Sequence, residues 1–225
     1  MHFFKTLVTG VTSLLFPPIC KGCEKRMDSN VGLICADCWQ KLQLFPAEAI
    51  KNKIIPESLD QVWPVFLFDE LFQKIIHALK YQGNVSIGYK IGQQMALYLP
   101  TEIKTLQPSI FVPIPLHPIK LRERGYNQSE AITRGLASNS GIRVETKLLK
   151  RIKNTATQTK LNAEERQANM EMAFAINRKS SVSSGNTLIL IDDVFTTGAT
   201  LNSAAGVLRQ SGFHKVIAVT AAAPL

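Results

Sequence analysis

The chain has 225 residues, 45% apolar and 19% charged, which excludes a disordered polymer and leaves room for one ordinary domain with a small appendage. Its net charge of +9 is uneven: residues 111–180 hold 13 basic against 6 acidic side chains, while the rest is close to balance. Such a stretch suits phosphate-rich ligands, or else forms a solvated basic surface.

The first segment, MHFFKTLVTGVTSLLFPPIC, is too short and too polar to span a bilayer, and no small-x-small cleavage site follows it. It is expected to form an amphipathic helix packing Phe3, Phe4, Leu7, Val11, Leu14 and Leu15 on the domain behind, stopped by Pro17 and Pro18. No other segment is apolar enough to be transmembrane, so the expected location is the cytoplasm.

All four cysteines follow within 19 residues, as Cys20-x2-Cys23, eleven residues, then Cys35-x2-Cys38. Each CxxC knuckle supplies two thiolates from one tight turn, which suits tetrahedral Zn²⁺; Gly22 and Gly32 sit where such turns need backbone freedom. Two disulfides fit poorly with a cytoplasmic chain, and a redox CxxC would not come doubled. A closed four-cysteine site is structural and offers no open coordination position. The module either only holds the fold together or also touches nucleic acid, with Trp39 as a core aromatic or a stacking surface. The helix-poor stretch FPAEAIKNKIIPESLDQ then reads as a linker ending near Asp60, which divides the chain into a module over 1–60 and a main domain over 61–225.

In the main domain, VWPVFLF (62–68) reads as a strand and Glu70–Lys80 as a helix with Leu71, Ile75, Ile76 and Leu79 on one face. Gly83 breaks the chain, and a helix resumes over 87–99. A buried strand is expected over 109–115, then a helix over Asn127–Ser140, closed near Gly141. VETKLLKR (144–151) and AFAI (173–176) read as strands, with a turn at SSVSSGN. TLILI (187–191) is a fully buried strand, Thr200–Gln210 a helix ending at Gly212, and 215–222 a last strand. Strands that are apolar throughout and alternate with helices indicate an α/β fold, a parallel sheet covered on both faces. Ligands in such sheets sit at the carboxyl ends of the strands.

LILIDDVFTTGAT (188–200) places Asp192 and Asp193 at such an end. The loop after them offers backbone N–H groups, the hydroxyls of Thr196, Thr197 and Thr200, and close approach at Gly198. The positive end of the following helix points at the same spot, making an anion site from a helix N-terminus and a nest of amides. Carboxylates accept hydrogen bonds from sugar hydroxyls, so a ribose 5-phosphate fits.

This stretch resembles the phosphoribosyl-pyrophosphate (PRPP) signature of type I phosphoribosyltransferases. The resemblance implies that Asp192 and Asp193 hold ribose hydroxyls and that Thr196, Thr197, Gly198, Ala199 and Thr200 hold the 5′-phosphate. Phe195 stands where the wider superfamily has an aliphatic residue. Two further stretches, VPIPLHPIKLRERGYNQSEAI (112–132) and RIKNTATQTKLNAEERQANMEMAF (151–174), are similar to signatures of the ComF family of DNA-uptake competence proteins, which includes GntX-like members. With the doubled CxxC and the PRPP loop, the likeness spans nearly the whole chain. It implies a zinc knuckle ahead of a type I phosphoribosyltransferase-like domain, with a role in handling incoming single-stranded DNA.

On that reading, the loop after strand 109–115 carries His117, Lys120, Arg122 and Arg124 to where this fold binds pyrophosphate, and arginines there would grip its oxygens. His117, set among prolines, either joins them or packs. Lys80, with Tyr81 and Gly83, borders the same site or lies on the surface. The stretch NTATQTKLNAEERQAN sits where these enzymes carry a mobile lid, with Thr155, Gln158, Thr159 and Arg166 available to a closing ligand; an ordered structural loop is the alternative. The implied reaction displaces pyrophosphate from ribose C1 by a nitrogen nucleophile, with Mg²⁺ bridging ligand oxygens. No nucleophilic triad is present in the sequence, as that chemistry requires none.

A rival reading is a binding protein that keeps the fold to sense PRPP, or that tracks single-stranded DNA along Lys120, Arg122, Arg124, Arg134, Arg143, Lys147, Lys150, Arg151 and Lys153. That stretch contains one stacking candidate, Tyr126. A third reading is a docking module whose knuckle recruits a helicase or membrane channel protein.

Overall fold

The computed structural model describes residues 18–27, 32–153, 173–177 and 180–225. The helix expected over 3–15 lies outside these residues, as does the lid stretch with Thr155, Gln158, Thr159 and Arg166.

Five strands form one parallel sheet: β1 (Gln61–Leu67), β2 (Ser109–Pro113), β3 (Arg143–Val144), β6 (Thr187–Val194) and β7 (Val216–Ala223), in the order β1-β7-β6-β2-β3. Alternate residues of a strand face opposite ways, and here both ways are apolar. In β6, Leu188 and Leu190 join a core with Leu201, Ala204, Ala205 and Leu208 of α7 (Ala199–Gln210). Ile189 and Ile191 face the other core, built with α2 (Glu70–Tyr81), α3 (Val85–Tyr98) and α6 (Gln128–Ser140). The sheet is therefore covered on both faces. The sequence-based boundaries differ from the structure at β6, which runs through Asp192 and Asp193, at α7, which starts one residue early at Ala199, at α3, which starts two residues early at Val85, and after β2, where the stretch expected as a loop forms a helix over Pro118–Arg124.

VETKLLKR is split between two sheets. Val144 lies beside β2, whereas β4 (Leu149–Arg151) pairs antiparallel with β5 (Phe174–Ile176). Between them the Lys147 amide donates to the Glu145 side chain at 2.8 Å, a local bond that turns the chain out of the first sheet.

Helices α3 and α6 touch backbone to backbone. A Cβ on Gly135 would lie 1.9 Å from the Tyr89 carbonyl oxygen, and one on Gly92 would lie 2.0 Å from that of Ile132. This crossing sets where α6 begins, and the cap there is tied to the sheet. Asn127 accepts from the Ser129 amide at 3.1 Å and donates to the carbonyl of Ile114, just past β2, at 2.9 Å.

The cysteine module is not a separate globule. Cys20, Met27, Ile34 and Cys38, the last on α1 (Ala36–Gln40), share a core with Phe72, Ile75 and Phe66. Gly32 adopts φ +85°, as a tight turn needs, but Gly22 is set by contact: a Cβ there would lie 2.9 Å from both Cys38 Sγ and Leu71 Cδ1. Residues 43–45 run along the outer edge of β1, where Leu67 N–H donates to Gln43 O at 2.8 Å and Phe45 N–H to Val65 O at 2.9 Å. The stretch read as a linker is also packed: Phe45 is buried, Ala47–Asn52 forms a 3-10 helix, and residues 56–60 lie against α7.

Candidate functional site

Asp192 and Asp193 stand at the carboxyl end of β6 and are both buried. Asp192 Oδ1 accepts from Ser129 Oγ at 2.8 Å and from the Asp193 amide at 2.9 Å. Asp193 accepts from the Val194 amide at 3.1 Å and is ion-paired with Lys80 near the end of α2. Burial, and then the neighbouring Asp193 carboxylate, push the Asp192 carboxyl up to about 7. Burial opposes the charge on Lys80, but Asp193 and Asp192 outweigh it and hold the ammonium above its ordinary range.

Cations surround this pair. Helix α5 (Pro118–Arg124) follows β2, and His117 caps it, its Nδ1 accepting from the Ile119 amide at 3.3 Å. Lys120 and Arg124 are four residues apart and share a face of α5. Arg122 falls on the other side and is exposed. Arg124 donates to Gln128 at the start of α6, and its guanidinium sits 5.9 Å above the Tyr81 ring. Burial, with the Arg151 and Arg124 charges, lowers the Lys120 ammonium. Burial also lowers Arg151, which Asp192 attracts and whose guanidinium lies 5.4 Å from the Phe174 ring. Lys80, Lys120, Arg124 and Arg151 thus gather around two carboxylates, a net excess of positive charge.

The turn 195–198 completes the site. Phe195 is buried beneath it, and Gly198, at φ +74°, caps α7. A Cβ there would meet the Phe195 ring at 2.7 Å, so glycine is required by both conformation and space. Thr196 and Thr197 are exposed at the mouth, Ala199 and Thr200 half-buried, and the Ala199 amide donates to Thr197 Oγ1 at 3.4 Å.

Of the residues singled out in sequence, Asp192, Asp193, Lys80, Arg124 and the 196–200 turn converge, and Arg122 stands apart. Ser129 gave no sequence signal beyond a helix start. Arg151, which the sequence places among the residues of a DNA-tracking face, is attracted by Asp192. Tyr126, the stacking candidate, is half-buried and donates its hydroxyl hydrogen to the Leu79 carbonyl.

The four cysteine sulfurs lie within 4.8 Å of one another, with Cys20–Cys38 and Cys23–Cys35 each 3.7 Å apart. Four thiolates at metal–sulfur distances of about 2.3 Å on a tetrahedron would be separated by about 3.8 Å. The cluster therefore fits a metal ion and is too open for disulfides. Although burial alone would raise Cys20, N–H donors including those of Cys35 and Gly22 lower its thiol to about 6. Those two amides lie 3.3 and 3.4 Å from the sulfur.

No helix among the described residues is long and apolar enough to cross a membrane. No family model matches the chain. It is 29% identical over 202 residues to competence protein F of Haemophilus influenzae, covering 88% of this chain and 87% of that one. It is 28% identical over 198 residues to competence protein ComFC of Streptococcus pneumoniae, covering 81% and 84%. Over 141 residues it is 30% identical to the DNA utilization protein YhgH of Escherichia coli K12, covering 61% of each. Among solved structures it is similar to a hypoxanthine phosphoribosyltransferase of Staphylococcus aureus, with a TM-score of 0.38 and 16% identity, over 61% of this chain and 63% of that one. It is also similar to the allosteric regulatory enzyme of purine biosynthesis, with a TM-score of 0.41 and 17% identity, over 61% and 26%. Both structural likenesses are loose and assign no residue. The likeness to the competence proteins covers most of both chains, so this chain is similar to them over most of its length.

Proposed function

We propose that this chain binds PRPP, or a closely related phosphoribosyl ligand, at the carboxyl end of β6, and serves the handling of incoming DNA in competence. The observation that carries this reading is the buried Asp192–Asp193 pair, bracketed by four cations and by the Gly198 turn. In this reading the aspartates accept from ribose hydroxyls and the turn 196–200 donates to the 5′-phosphate. Lys80, Lys120, Arg124 and Arg151 neutralise the diphosphate. Magnesium arrives with the ligand as its counter-ion, since Asp193 is already paired with Lys80.

As an enzyme, the chain would be a phosphoribosyltransferase. The C1–oxygen bond breaks with its electron pair leaving on pyrophosphate, and a nitrogen acceptor forms the new bond. The chain's part is to hold the phosphates, orient the ribose and neutralise the leaving group. The non-catalytic form of the reading keeps the same site for sensing PRPP. Calorimetric titration of PRPP with Mg²⁺ into the wild type and into Asp192→Asn/Asp193→Asn tests the site. Binding by the wild type that the double variant loses is expected; equal binding by both would move the ligand elsewhere.

The cysteine cluster is proposed as a structural zinc site in a cytoplasmic protein, supported by its sulfur spacing and its place in the core. Zinc bound by the four thiolates would tie Cys20 and Cys23 to Cys35 and Cys38. Elemental analysis is expected to find about one zinc per chain, lost in Cys35→Ser together with thermal stability. A metal-free protein of equal stability would overturn this. The basic charge of residues 111–180 supports contact with single-stranded DNA as a second reading, and steep weakening of that binding by salt is its signature.

A further inference from the structure

Residues 56–60 grip one face of α7. Pro56 Cγ lies 2.7 Å from where a Cβ on Gly198 would be, on the loop that precedes the helix. The Ser58 amide donates to Asn202 Oδ1 at 3.2 Å, and its hydroxyl lies 3.5 Å from the corresponding position on Gly206. Arg209 Nε donates to Ser58 O at 3.1 Å, and Arg209 Nη2 pairs with Asp60 at 2.7 Å. Asp60 is itself fixed to β7, accepting from the Val216 amide at 2.8 Å and donating to its carbonyl at 2.9 Å. Positions 198, 202, 206 and 209 are spaced four, four and three, a single stripe along a helix of 3.6 residues per turn. On the other partner, residues 56–59 form a turn, the Leu59 amide donating to the Pro56 carbonyl at 2.9 Å, and this turn presents Pro56, Ser58 and Asp60 to the stripe.

We propose that residues 56–60 are a strap that holds the 195–198 turn and the first turn of α7 in their anion-binding shape, with Pro56 and Asn202 as positioning residues. Gly198 is confined from two sides, by the buried Phe195 ring and by Pro56. Asn202 anchors the strap one helical turn further on. The segment that joins the cysteine module to the sheet thereby sets the amides that would meet a phosphate. The ligand named here rests on the phosphoribosyl reading above; the mechanical role does not.

The test uses the full-length protein with Asn202→Ala, Pro56→Gly and Asn202→Asp. Amide hydrogen exchange is followed at residues 58 and 196–201, and Mg²⁺–PRPP titration is done in parallel. Loss of one neutral hydrogen bond is expected to speed exchange at Ser58 and at 196–201 by about tenfold in Asn202→Ala, leaving β6 and β7 amides unchanged. Pro56→Gly should do the same at 196–201. Asn202→Asp keeps an acceptor for the Ser58 amide and should restore slow exchange. PRPP affinity in Asn202→Ala should fall about as much as exchange rises, with little change in melting temperature. Wild-type exchange at 196–201 in both Asn202→Ala and Pro56→Gly would overturn the strap, as would acceleration spread evenly over the sheet. If the wild type binds no PRPP, the phosphoribosyl reading fails, and the exchange pattern alone still decides the strap.

Discussion

Ser129, in the first turn of α6, donates its hydroxyl hydrogen to the carboxylate of Asp192, 63 residues further along, at 2.8 Å. Both groups are buried, so the bond is shielded from competing water. It joins the helix start capped by Asn127 to the end of the central strand, and it offsets part of the burial that raises Asp192.

Replacing Ser129 by alanine should therefore raise Asp192 further and cost about 1–2 kcal/mol in stability. Carboxyl titration followed by NMR would register the first effect and urea unfolding the second. An unmoved titration would mean that the hydroxyl does not support the carboxylate.

The elevated Asp192 also sets a direction for pH dependence. The unfolded chain loses this proton near the ordinary value of 3.8, whereas the folded chain keeps it until about 7. Between those limits the folded state binds the extra proton, so this residue's contribution to stability falls as pH rises through the window and levels off above it. Urea unfolding from about pH 5 to about pH 8 should show this decline, and Asp192→Asn should flatten it. A slope identical in the variant would assign the decline to other groups.

Lys80 is the counter-charge of a buried carboxylate. Lys80→Met leaves Asp193 without it and should cost about 3 kcal/mol, whereas Lys80→Arg should retain most of the stability. Thermal unfolding of the two variants distinguishes charge from packing. Equal losses in both would point to packing.

The contact of α3 with α6 is expected to be intolerant of a single methyl group. Gly135→Ala drives a Cβ into the Tyr89 carbonyl and should cost several kcal/mol, about 3 or more, while Gly185→Ala, whose nearest neighbour is Ser183 Oγ at 3.8 Å, should be close to neutral. Ser129 rides on α6, so the first substitution should also weaken PRPP binding in whatever fraction still folds.

Much of the fold is legible from periodicity and punctuation. The apolar runs at 62–68 and 187–191, the helix capped by Asn127 and closed by Gly141, and the stretch Glu70–Lys80 all carry their own signals over a few residues. VETKLLKR does not. Its β-rich composition gives no hint that the Glu145 side chain turns the chain from one sheet to another. Nor does composition separate a linker from a strap: FPAEAIKNKIIPESLDQ is polar and proline-punctuated, and the partners it grips on α7, Asn202 and Arg209, lie more than 140 residues away in sequence.

What the sequence determined alone is chemistry whose partners are neighbours in the chain: the paired CxxC knuckles, and a strand–Asp–Asp–turn–helix unit whose carboxylates, hydroxyls and amides lie within 13 residues. Tertiary structure decided the rest. Lys80 meets Asp193, Ser129 meets Asp192 and Arg151 approaches them because β6 lies between β7 and β2, which brings together the ends of α2, α6 and β4. Arg122 and Arg124 look equivalent in sequence, yet two residues on a helix are about 200° apart, and only one of them can face the site.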